Sequence, residues 1–114
     1  MSILETKIVD ICAVPKAEPD KVVMVIADHL GWEASEEGDH LLMLQEKINT
    51  YITFYESGEV FDSLPSAHGK RPVIRIIGKF QLSSEAETFI DSATAVLRNA
   101  GIELEFVLKE ASGA

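Results

Sequence analysis

The chain has 114 residues, of which 46% are hydrophobic and 25% charged, and its 19 acidic against 10 basic side chains leave a net charge of -9. Those fractions exclude a disordered or fibrous polymer, and a chain of this length buries roughly two thirds of its unfolded surface, so one α+β domain over residues 1–114 is expected. The negative field repels phosphate backbones and anionic lipid, which disfavours nucleic acid as a partner; it would draw in a basic protein, although it also serves solubility by itself.

No apolar run approaches the roughly 20 residues of a membrane span. The opening MSILETKIVD has neither the basic start nor the apolar stretch of a secretion signal. The single cysteine, Cys12, cannot close an internal disulfide and fits a reducing compartment. The expected setting is the cytoplasm, with no membrane attachment.

Residues 7–14, KIVDICAV, read as a strand that stops at Pro15, and residues 21–29, with six apolar positions in a row from Val22 to Ala27, read as a central strand pairing with it as a hairpin. After the acidic stretch GWEASEEGD, Asp39 stands where an N-cap belongs. Leu41, Leu44, Ile48, Tyr51, Ile52 and Tyr55 then form one helical stripe that ends near Gly58. Met43 and Phe54 fall away from that stripe with Lys47 between them, which asks for a cover.

The segment 58–71, GEVFDSLPSAHGKR, is long for a connection and carries Val60, Phe61 and Leu64, so it is expected to pack back over Phe54 rather than to act as a binding loop. From Pro72 the run VIRIIGKF alternates Arg75 and Lys79 with apolar neighbours as a strand. Ser84 and Glu87 form a capping box for a second helix whose stripe runs from Ala86 to Ala100 before Gly101 stops it. IELEFVLK makes the last strand, and residues 110–114 read as a frayed tail. The expected order is ββαβαβ: a four-stranded mixed sheet with two helices packed on one face, the last two strands parallel across a crossover of about 22 residues. Glu103 and Glu105 would then lie near Arg75 and Lys79.

Three clusters could carry chemistry. Asp28, His29 and His40, amid Glu33, Glu36, Glu37 and Asp39, could hold a divalent metal or supply an acid and a base, yet their spacing matches no metal motif and a solvated acidic turn accounts for them. His68, Lys70 and Arg71 beside Gly69 could clamp an anion, but no phosphate cradle surrounds them. Cys12, inside an apolar strand, reads as a buried and inert thiol. No GxSxG, CxxC, GxGxxG or Walker motif is present, and no cofactor is indicated.

DHLGW (28–32), LLMLQEKINTYI (41–52), ESGEV (56–60) and PVIRI (72–76) together make the chain resemble a family of small uncharacterised bacterial proteins, a domain of unknown function. That resemblance implies a bacterial one-domain protein and brings no catalytic residue, cofactor or partner. The acidic surface, the spare apolar residues Trp32, Met43, Phe54 and Phe61 and the missing catalytic constellation favour a protein-binding module of adaptor, inhibitor or immunity type, alone or self-associating. The alternative is a small enzyme or a ligand- or metal-binding protein using Asp28, His29 and His40.

Overall fold

In the computed structural model, which describes residues 3–109, the chain runs β1 (Ile11–Ala13), β2 (Lys21–Asp28), α1 (Glu37–Glu56), α2 (Glu59–Ser63), a 3-10 turn (Pro65–Ala67), β3 (Arg71–Gly78), α3 (Ser84–Asn99) and β4 (Glu103–Leu108). The four strands form one sheet in the order β1-β2-β3-β4. β1 is antiparallel to β2, and β2, β3 and β4 are parallel, with Met24 beside Ile74 and Ile74 beside Leu104. This is the expected mixed sheet. The tail over residues 110–114 lies outside the described residues.

Side chains alternate along a strand, and the core takes only the even-numbered strand positions: Val22, Met24, Ile26, Ile74, Ile76 and Leu104. The same cluster contains Leu44, Ile48, Tyr51 and Phe54 of α1 and Ile90 and Leu97 of α3. Both long helices therefore lie on one face of the sheet. Burying these aliphatic and aromatic groups supplies roughly 1.5–3 kcal/mol for each large side chain. Gly78 belongs to the same face because the Phe106 ring leaves no room: a Cβ there would stand 2.5 Å from a ring carbon.

Four local expectations need correction. The strand expected over 7–14 is confined to Ile11–Ala13; the preceding chain leaves the sheet and packs on α1, where Thr50 donates to the Thr6 carbonyl. α1 begins at Glu37 rather than after Asp39, and its cap, Glu36, makes no side-chain capping bond. The cap of α3 is Ser83, not Ser84; its hydroxyl accepts from the Ala86 N–H at 3.1 Å, so Glu87 is displaced from the capping-box position. Arg75 does meet Glu105, but Glu103 lies 4.0 Å from Lys21 and the Lys79 ammonium sits over the Phe80 ring.

The long segment after Gly58 is an ordered cover. Gly58 turns the chain with φ 85°, a left-handed conformation that glycine adopts without strain. α2 and the 3-10 turn then bury Val60 and Ala67 in the cluster that contains Phe54.

Candidate functional site

β2 delivers Asp28 to the helix face of the sheet, and the first turn of α1 delivers His40 to the same point. Asp28 and His40 are only 3% and 1% exposed. His40 Nε2 lies 2.8 and 2.6 Å from the two Asp28 oxygens, and its Nδ1 lies 2.7 Å from the Gly31 carbonyl. A carbonyl oxygen only accepts, so Nδ1 carries a proton and donates to Gly31. Asp28 Oδ1 also accepts from the Leu30 N–H at 3.1 Å, an Asx-type turn that starts the chain toward the helix. Trp32 closes the site by stacking on the imidazole, with ring centroids 3.5 Å apart and planes 13° apart. The arrangement is a satisfied polar latch beneath an indole lid. His29 takes no part: strand alternation turns it away from Asp28, and it is exposed.

A second buried polar group was not foreseen in the sequence. Lys47 of α1 is 0% exposed; its ammonium donates to the carbonyls of Glu5 at 2.7 Å and Ile8 at 2.6 Å. It lies 2.9 Å from Asp10 Oδ2, a charge contact without an aligned hydrogen bond. Beside it the Tyr51 hydroxyl donates to the Val25 carbonyl at 2.6 Å and accepts from the Asp10 N–H at 3.1 Å. Burial pushes the Tyr51 phenol from 10 to about 12. The signal for this group was Lys47 on an otherwise apolar strip of helix, because a charge placed there needs a partner, and Asp10 interrupts the apolar run that precedes β1.

Asp10 also lines a cleft of about 780 Å³ between the amino-terminal segment, α1 and α2, whose other polar side chains include Glu46, Asn49, Thr50 and Thr53. Cys12 also lines it, half-buried, and burial raises its thiol above the ordinary value, which lowers the thiolate fraction at neutral pH.

The other candidate residues are dispersed. Phe54 is in the core, and Met43 and Phe61 pack against it. Phe61 meets Tyr55 edge-on and stacks on His68, while Arg71 pairs with Asp20 at the surface. His68, Lys70 and Arg71 therefore do not converge on one point. Among the described residues no group of three or more His, Cys, Asp or Glu side chains is placed to hold a metal ion, and no described helix is long and apolar enough to cross a membrane.

The face of the sheet opposite the helices is built from the odd-numbered positions. Arg75 stands at its centre, bonded to Glu105 on β4 and to Glu18 from the β1–β2 connection at 3.0 Å. Val23 and Val73, at the end where Glu18 reaches over, are buried. Toward the other end Val25, Ala27 and Ile77 are half-buried, and Ile11 and Val107 are 37% and 44% exposed. No helix covers these residues among the described ones.

No curated protein and no solved structure matches the chain. A family model does match, over residues 1–110, and the chain belongs to that family of unknown function, DUF6572.

Proposed function

We propose that this chain is a small acidic protein-binding module, an adaptor or inhibitor, that meets its partner with the sheet face opposite the helices. One observation carries the reading: three parallel strands have helices on a single face, while their second face presents Val25, Ala27, Ile77 and Val107. Parallel strands are ordinarily covered on both faces, because apolar side chains project from each. The partner suited to this surface brings an apolar centre and a basic rim, since Glu18, Glu103 and Glu105 border the face and the whole chain carries -9.

The reading in which Asp28, His29 and His40 form a ligand or catalytic site has less support. Asp28 and His40 already satisfy each other out of reach of solvent, and His29 lies elsewhere.

The test is capture of partners by the tagged protein in three forms: wild type, Ile77→Lys on the open face, and Leu42→Lys on the exposed side of α1. A stoichiometric partner held by wild type and Leu42→Lys but lost by a folded Ile77→Lys supports the proposal. Capture that survives Ile77→Lys overturns the assignment of the face, and the absence of any stoichiometric partner overturns the binding reading.

A further inference from the structure

β4 is the last strand of the sheet, and its outer edge has no strand partner among the described residues. The Lys109 N–H donates to the Gly78 carbonyl, so the odd-numbered residues of this strand direct their backbone groups at β3. In a regular ladder the N–H and C=O groups of Leu104, Phe106 and Leu108 then point outward. A row of this kind is a template for another strand unless proline, a bulge or inward charge blunts it. β4 has no proline, and its regular pairing with β3 runs from Val73–Glu103 to Gly78–Leu108 without a bulge. Its end is also apolar, with Val107 44% and Leu108 38% exposed.

We propose that two copies of this chain pair antiparallel through β4 about Phe106, joining their sheets into one of eight strands. The sequence of the strand selects both occupant and register. Pairing about Phe106 sets Phe106 against its own copy and Leu104 against Leu108, which are the residues whose backbone groups face outward, so each such pair exchanges two hydrogen bonds. It also sets Glu103 against Lys109 at both ends of the interface, an opposite-charge pair made twice by symmetry. Pairing about Glu105 would bring two carboxylates face to face, and pairing about Val107 would leave Glu103 and Leu104 without partners among residues 103–109.

The interface rests on the β4 edge and not on the face-binding reading, although it would place two open faces side by side. Light scattering of the intact chain is expected to give a dimer. Lys109→Glu, which opposes like charges at both ends, should weaken the dimer on the order of tenfold, and the swap Glu103→Lys with Lys109→Glu should restore it. Amide exchange at Leu104, Phe106 and Leu108 should slow as protein concentration rises, while Glu105 and Val107 stay unchanged. A monomer at every concentration overturns the proposal. So does a dimer indifferent to Lys109→Glu or not rescued by the swap. Ile77→Lys leaves this edge intact, so loss of the face reading and loss of the dimer are separable.

Discussion

The two faces of the sheet handle charge in opposite ways. On the helix face the polar pairs are Asp28 with His40 and Lys47 with Asp10; all four side chains are at most 4% exposed, and backbone groups add bonds to Asp28, His40 and Lys47. On the other face Arg75, Glu18 and Glu105 pair in partial contact with water, at 21–29% exposure. A buried pair is costly to break, because removing one partner strands the other in a low-dielectric interior, whereas a hydrated pair re-solvates. The helix face is thus committed to holding the fold together, whereas the charges of the open face can be rearranged at little cost.

The sharpest way to break this contrast is Lys47→Met, which keeps the stem and deletes the ammonium. The Glu5 and Ile8 carbonyls lose their common donor, the Asp10 carboxylate loses its counter-charge, and the amino-terminal segment loses its anchor on α1. The expected loss is roughly 3–5 kcal/mol in urea denaturation. A loss below about 1 kcal/mol would mean that water already reaches the site.

Tyr51→Phe should cost less, about 1–3 kcal/mol at pH 8, because it leaves the Val25 carbonyl and Asp10 N–H without their partner. Its pH dependence has a definite sign. The phenol is raised from 10 to about 12, so the neutral hydroxyl contributes fully below pH 10 and loses that contribution as pH rises through about 12. The stability gap between wild type and Tyr51→Phe should therefore close across pH 10–12. A gap constant over that window would show that the hydroxyl ionises as freely in the native state as in the unfolded one.

The sequence made the order of elements legible because hydrophobic period and punctuation agree there: Val22–Ala27 as a covered strand, Gly58 and Gly101 as helix stops. It misread residues 7–10 as strand because Ile8 and Val9 have strand composition, while the site of their packing depends on Lys47, about forty residues away. Asp28, His29 and His40 were gathered by composition alone. Only the strand's alternation and the start of the helix decide that Asp28 and His40 meet while His29 does not. Trp32 was read as a spare apolar residue, yet its ring stacks on His40, a contact that no periodicity announces. The open face was partly visible as charged positions alternating with apolar ones in β3 and β4, but the reach of Glu18 across it comes from a loop, where no periodicity guides a reading.

Arg75→Met sharpens the contrast from the other side and carries the smallest expected effect. Its pairs are partly hydrated, so the loss should be about 1 kcal/mol or less and should shrink further in ~1 M salt. The hydrogen bond from Arg75 holds the Glu18 carboxyl below its ordinary value. That contribution is therefore present above pH 4.5 and is lost as pH falls further. Wild type should lose its advantage over Arg75→Met in acid, measured as melting temperature between pH 6 and pH 3. A loss comparable to that of Lys47→Met, appearing only at high protein concentration, would have a different cause. It would mean that the open face is itself buried against another molecule, where an unpaired Glu18 or Glu105 can no longer turn to water.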